Sequence, residues 1–321
     1  MDSQQTNHTS GQAMVFSGSS HQALAREICQ LLELPLSRAF VGTFNNEETR
    51  VQIEENVRGA DVFVVQTMCS PVDHHIVELL IMIDALRRAS AARVTAVIPY
   101  FAYAKQEKKT AGREPISAKV VTKLIETVGA DRVLTLDLHA PAIEGFFDIP
   151  VDHLRAASLL AGVFRKLPLT GDLVVVSPDA GGVARANEFR ARLGAEMAII
   201  SKTRPTTDVT EVLDMVGDVR GKSAVIVDDM ISTGSTLMVA VDELCKRGAS
   251  EVYACATHAV FAGQAVQLIE KSPLKGVITT DTLPVPGERR NSKIHVLTVA
   301  PLLAQAIERI HDNRSVSELF N

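Results

Sequence analysis

Between Ala224 and Leu237 the chain reads AVIVDDMISTGSTL: an apolar run, two adjacent acids, a turn of small hydroxylated residues, and a helix opening. The valine- and isoleucine-rich run from Ala224 to Val227 predicts a buried strand. Its passage into Ser232, Thr233, Gly234, Ser235 and Thr236 brings backbone N–H groups and hydroxyls to a helix N-terminus, where anions bind. Asp228 and Asp229 accept hydrogen bonds and suit neighbouring hydroxyls, while the turn suits a phosphate, so together they describe a sugar phosphate. An ordinary strand–loop–helix junction with a Ser/Thr N-cap carries the same local pattern.

The strand-to-helix alternation recurs along the chain. Strands are expected at Met14 to Phe16, Val62 to Gln66, Val94 to Pro99 and Val133 to Leu138, with helices at His21 to Leu32, Val77 to Ala89 and Ile116 to Val128. A second series runs helix Ala156 to Phe164, strand Leu173 to Ser177, helix Val183 to Leu193, strand Ala198 to Ser201, strand Ala224 to Val227, helix Thr236 to Arg247 and strand Glu251 to Thr257. Such units imply an α/β fold of two tandem, mainly parallel sheets flanked by helices. The 321-residue length, with 46% hydrophobic residues, supports two buried cores. The expected division is a disordered tail over residues 1–13, one domain over 14–152 and a second over 153–321.

Composition narrows the function classes. A net charge of −5 argues against bulk nucleic-acid binding and leaves anion recognition to local basic clusters. Cys29, Cys69, Cys245 and Cys255 lack metal-ligand spacing and read as free thiols of a reducing cytoplasm. The polar first thirteen residues have neither the basic start nor the apolar stretch of a signal peptide or anchor. The longest apolar run, Ile76 to Leu86, is interrupted by Glu78 and Asp84 and is too short to span a membrane.

Ligands of parallel sheets gather at the carboxyl ends of strands. Phe44, Asn46 and Glu48 form a loop able to read a base or sugar, although an exposed hairpin looks the same. Lys105 to Arg113 holds four cations in nine residues and suits a polyphosphate or a solvated loop. Asp137-Leu138-His139 ends a strand with a carboxylate and an imidazole able to share a metal ion or its waters, although a lone strand-end histidine is more often a structural one. Ser177-Pro178-Asp179-Ala180-Gly181-Gly182 permits close approach and offers Asp179 to a magnesium–phosphate complex or a sugar. Lys202 and Arg204, one residue apart in an extended loop, can grip a phosphate chain from one side, unless the loop is merely a charged surface segment. GDVRGKS at Gly217 to Ser223 is not a P-loop, because it precedes a strand instead of following one and has three residues between its glycines.

AVIVDDMISTGSTL resembles the phosphoribosyl-pyrophosphate (PRPP) motif of type I phosphoribosyltransferases. FSGSSH, TFNNEET, ENVRGADVFVVQ, RVTAVIPYFAYAKQEKK, PISAK, LTLDLHA, GFFDIPVD, VVSPDAGG and SVSELF, collinear from about Val15 to the C-terminus, resemble the ribose-phosphate pyrophosphokinase family. That resemblance implies two phosphoribosyltransferase-type I-like domains and transfer of the β,γ-diphosphoryl group of ATP to the anomeric hydroxyl of ribose 5-phosphate. It implies Asp228 and Asp229 on the ribose, Ser232, Thr233, Gly234, Ser235 and Thr236 on the 5-phosphate, and Phe44, Asn46, Glu48, Lys105 and Gln106 on ATP. His139 and Asp179 match magnesium positions, and Lys202 and Arg204 match the catalytic flexible loop. It also implies a homo-oligomer, dimers built into a hexamer, in which the Phe44 loop reaches a neighbouring subunit's site. No nucleic-acid or membrane partner is expected.

Ser232 stands where the family's motif commonly has a third acid, and Lys105 where many members have arginine, which exchanges a two-oxygen fork for a point charge. Arg58, Ser315, Val316 and Ser317 match an allosteric phosphate site, but Asn56 and Glu144 replace a common serine and glutamine. A carboxylate facing a phosphate repels it, so weak phosphate dependence is expected. A base-salvage transferase accounts only for the second half, and a non-catalytic associated subunit commonly lacks the Lys202, Arg204, His139 and Asp179 set retained here.

Overall fold

The computed structural model describes residues 11–203, 212–287 and 292–320. The expected tail therefore falls outside the described residues up to position 10, and the chain is in a strand from Ala13. Two compact units form, one from Met1–Leu154 with Val299–Asn321 and the other from Arg155–Thr298.

The first unit contains β1 (Ala13–Ser17), α1 (Gln22–Leu31), β2 (Ala39–Thr43), β3 (Thr49–Ile53), β4 (Asp61–Val65), α2 (Val72–Arg88), β5 (Arg93–Ile98), α3 (Ser117–Thr127), β6 (Arg132–Leu136) and β7 (Val151–Leu154). Its sheet is wholly parallel, in the order β1-β4-β5-β6-β7. Every residue of β4, DVFVV, is buried, as a parallel strand covered on both faces requires. β2 and β3 form a separate antiparallel hairpin. Its alternation explains how it docks: Val41, Val51 and Ile53 pack on the core, while Phe40, Arg50 and Gln52 are exposed. α2 begins at Val72, ahead of the expected Val77, because the polar pair His74 and His75 breaks the apolar period. His75 is nevertheless buried, with its Nδ1 2.8 Å from the Cys69 carbonyl.

The second unit runs through α4 (Ala157–Phe164), β8 (Leu173–Ser177), α5 (Val183–Leu193), β9 (Glu196–Thr203), β10 (Val212–Val216), β11 (Ser223–Ile231), α6 (Ser235–Lys246), β12 (Glu251–Ala259), α7 (Ala265–Lys271), β13 (Gly276–Thr280) and β14 (Ile294–Leu297). The sheet order is β10-β9-β8-β11-β12-β13-β14, parallel except where β10 meets β9. The order turns at β8: β9 lies on one side of it and β11 on the other. That reversal is a topological switch point, where the loops following two neighbouring strands diverge and leave a crevice.

The last helix, α8 (Ala300–His311), belongs to the first unit and packs on α1, burying Leu303, Ala304, Ile307 and Ile310. Arg93 anchors it, donating to both Asp61 oxygens at 2.7 and 2.5 Å and to the Ile310 carbonyl at 3.0 Å. The His311 Nδ1 lies 2.8 Å from the same Asp61 carboxylate. The expectation of an unbroken second domain over 153–321 is thereby corrected, since the chain leaves that unit after Thr298 and closes back on the first. Among the described residues no helix is long and apolar enough to cross a membrane. All four cysteines are free thiols, and burial raises the Cys29 pKa to about 11.

Candidate functional site

The switch point of the second unit gathers the acid pair, the hydroxylated turn and Asp179. β11 pairs with β8 only as far as Ile226 with Val176, yet stays paired with β12 up to Ile231. Asp228 and Asp229 therefore lie on a strand supported from one side, beside the loop that β8 has just opened. Asp229 is buried at 1% exposure and Asp228 is partly exposed. Arg185, on α5, faces both: its Nη1 lies 3.2 Å from Asp228 Oδ1 and 3.5 Å from Asp229 Oδ1. Burial, then the hydrogen bond to Asp229 and its charge, raise the Asp228 pKa to about 7, with Arg185 pulling the other way. Two carboxylates side by side cannot both be charged cheaply, and one arginine only partly offsets them.

The turn beyond the acids is shaped for an anion. Gly234 caps α6 at φ +80°, a left-handed conformation suited to glycine, and no side chain closes the N-terminus of the helix. Thr233 and Ser235 hydroxyls lie 3.0 Å apart, and both residues, with Thr236, are exposed. The loop is fixed from below, where Phe261 and Ala262 N–H groups donate to the Ile231 and Ser232 carbonyls at 3.0 and 3.1 Å. Ser232 itself is partly exposed.

Asp179 follows β8. Its Oδ1 accepts the Gly182 N–H at 2.9 Å, and the Ser177 hydroxyl donates to its carbonyl at 2.7 Å, so the exposed carboxylate is held at the strand end. A Cβ on Gly182 would come within 2.9 Å of the Ser177 oxygen, which explains the glycine. Lys202 sits in β9, paired with Leu213 of β10, and Arg204 lies outside the described residues.

In the first unit, β5 and β6 are neighbours, so the basic loop and the His139 loop leave adjacent strand ends. Lys105 and Gln106 occupy a short 3-10 turn, both exposed, and Gln106 accepts the Ser117 hydroxyl at 2.6 Å. His139 is partly exposed, just after Asp137, whose φ is +36°. Phe44, Asn46 and Glu48 form the tip of the β2–β3 hairpin, closed by the Phe44 N–H on the Glu48 carbonyl at 2.8 Å and the Glu48 N–H on Asn46 Oδ1 at 3.4 Å. Phe44 is 50% exposed, and the Arg50 guanidinium lies 5.5 Å from its ring centre. Arg58 is exposed, with its N–H on Asn56 Oδ1 at 3.1 Å; Ser315 and Ser317 hydroxyls are 2.7 Å apart and Val316 is buried between them in sequence. Glu144 is partly exposed, and its carboxylate meets the His153 ring.

Known proteins resemble the chain along most of its length. A sequence model of the N-terminal domain of ribose phosphate pyrophosphokinase matches residues 13–129, and one of the phosphoribosyl synthetase-associated domain matches residues 201–321. The ribose-phosphate pyrophosphokinase of Caldanaerobacter subterraneus subsp. tengcongensis is 52% identical over 95% of this chain and 97% of its own length. The chain belongs to the ribose-phosphate pyrophosphokinase family. The Bacillus cereus member is 47% identical over 98% of this chain and 99% of its own. The crystal structure of phosphoribosylpyrophosphate synthetase from Mycobacterium smegmatis superimposes with a TM-score of 0.90 at 42% identity, covering 94% of this chain and 99% of that one. Membership in the pyrophosphokinase family extends over both halves and so accounts for the first unit's loops, which a salvage transferase leaves unexplained. Arg185 is the site residue that sequence reading missed. It lies far from the acids in the chain, and its place on α5 gave no signal beyond a helical arginine.

Proposed function

We infer that the chain is a ribose-phosphate diphosphokinase, transferring the β,γ-diphosphoryl group of ATP to the anomeric hydroxyl of ribose 5-phosphate to give PRPP and AMP. The supporting observation is the switch-point pocket, where an acid pair, an uncapped helix N-terminus and Asp179 meet, in a chain that matches pyrophosphokinase relatives nearly end to end. Asp228 and Asp229 accept the ribose hydroxyls, and the amides and hydroxyls of Ser232 to Thr236 receive the 5-phosphate. Phe44 offers its ring to adenine, Asn46 and Glu48 hydrogen-bond the nucleoside, and Lys105 and Gln106 hold the phosphates. The anomeric hydroxyl attacks the β-phosphorus in line, and Lys202 and Arg204 neutralise the transferred oxygens.

Among the described residues no three His, Cys, Asp or Glu side chains form a metal cage. The exposed carboxylate of Asp179 and the partly exposed imidazole of His139 fit magnesium, which keeps its waters and binds through one or two side chains and substrate phosphates. His139 of the first unit and Asp179 of the second each match a magnesium position of the family, and magnesium bound at such a position would supply charge neutralisation of the phosphate oxygens. We place the enzyme in the cytoplasm as a homo-oligomer of dimers assembled into a hexamer, with the Phe44 hairpin serving a neighbouring subunit; Arg58 and the Ser315 to Ser317 tail form its allosteric site.

Lys202→Ala tests the reading against that of a non-catalytic associated subunit. Turnover is expected to be abolished, with ATP affinity nearly intact by calorimetry. Equal turnover in variant and parent removes Lys202 from the mechanism, and an inactive parent favours the associated subunit.

A further inference from the structure

The loop that carries His139 leaves β6 in an unusual way. Asp137 takes a left-handed φ of +36°, which a non-glycine residue holds only where its surroundings enforce it. Two bonds from β7 enforce it here. The Asp137 N–H donates to the Leu154 carbonyl at 3.0 Å, and the Leu138 N–H donates to His153 Nε2 at 2.7 Å. His153 is buried, at 7% exposure, and its other ring nitrogen, Nδ1, meets the Glu144 carboxylate.

These contacts fix the tautomer. A backbone N–H can only donate, so Nε2 must be the bare, accepting nitrogen, and the ring proton must sit on Nδ1, where it donates to Glu144. Glu144 lies in the 3-10 turn Pro141–Phe146, directly beyond His139. One imidazole thus ties together the two ends of the segment from Leu138 to Glu144, with His139 inside it. With an apolar residue at 144, only the Leu138 N–H still favours the Nδ1–H form; in the other tautomer an N–H at Nε2 points at the Leu138 N–H, and the loop loses its anchor.

We propose that Glu144 and His153 are positioning residues for His139: the carboxylate reinforces the His153 tautomer that the Leu138 N–H requires, and His153 holds the strand-end loop in the conformation that presents His139 to the metal–nucleotide complex. The proposal rests on the reading of His139 as a magnesium position. It gives Glu144 a role beside the one expected from sequence, in which its charge opposes an effector phosphate.

The test uses the full-length protein and the variants Glu144→Ala and Glu144→Gln. The Glu144 side chain is 41% exposed, so both substitutions are compatible with folding, which thermal melts check. Nitrogen-15 NMR of the histidine ring is expected to show His153 as the Nδ1–H tautomer in the parent and in Glu144→Gln, whose amide oxygen still accepts. In Glu144→Ala that form gives way to a mixture. Binding of Mn2+ in the presence of ATP, followed by electron paramagnetic resonance, is expected to weaken about tenfold in Glu144→Ala and to recover in Glu144→Gln. An unchanged tautomer in Glu144→Ala, or a changed tautomer with unchanged Mn2+ affinity, overturns the proposal. Neither readout needs turnover, so failure of the diphosphokinase reading, seen as an inactive parent, is distinguishable from failure of the positioning pair.

Discussion

Asp228 shows what the site requires of a single residue. A carboxyl whose pKa is raised in the folded chain keeps a proton that the unfolded chain has released, so between the ordinary carboxylate range and about pH 7 folding stability falls as pH rises. Asp228→Asn removes that penalty. We expect it to gain about 1 kcal/mol at pH 8, read from denaturant melts, the small size reflecting solvent at a partly exposed edge. On the proposed role of Asp228 as an acceptor for a sugar hydroxyl, the ribose 5-phosphate affinity of the same variant is expected to fall roughly tenfold to a hundredfold by calorimetry. In the parent, affinity is expected to weaken about tenfold between pH 8 and pH 6 as Asp228 takes up its proton, and the variant should flatten that component. A variant less stable than the parent at pH 8, with unaltered sugar affinity, contradicts this account of the acid pair.

At the scale of elements, contiguity decides what can be read in advance. Strand, acids, turn and helix lie within Ala224 to Leu237, so their chemistry is legible there, and the structure places Asp228, Asp229 and Ser232 to Thr236 along one strand end and helix start. Arg185, which faces the acids from α5, and His153, which holds the His139 loop from β7, depend on pairings remote in sequence and carry no local pattern. The strands β7, β10, β13 and β14 lie outside the segments expected as strands from sequence. α8 illustrates the same limit. Its apolar face is plain, but its partners Asp61 and Arg93 lie more than two hundred residues upstream. Asp61 is only 2% exposed, so removing its guanidinium leaves a buried charge. Arg93→Ala is expected to destabilise the protein by about 3 kcal/mol in denaturant unfolding. A loss below about 0.5 kcal/mol, the scale of a surface pair, means that the clamp does not hold α8.

Across the whole molecule, the two sheets differ in a way that bears on function. The first keeps a one-directional strand order, whereas the second reverses at β8, and the acid pair, the hydroxylated turn and Asp179 collect at that reversal. The alternating strand and helix pattern foretells two parallel sheets, while the strand order itself, and the return of the C-terminal segment to the first unit, arise from long-range packing. On the proposed reading, both sets of loops serve one reaction, the transfer of a diphosphoryl group from ATP to a sugar phosphate. The decisive measurement is therefore product stoichiometry, by phosphorus NMR, of the full-length protein with ATP, magnesium and ribose 5-phosphate. The account predicts AMP and PRPP in equal amounts, and no AMP when ribose 5-phosphate is omitted. ADP as the nucleotide product, or AMP formed without the sugar phosphate, would contradict it.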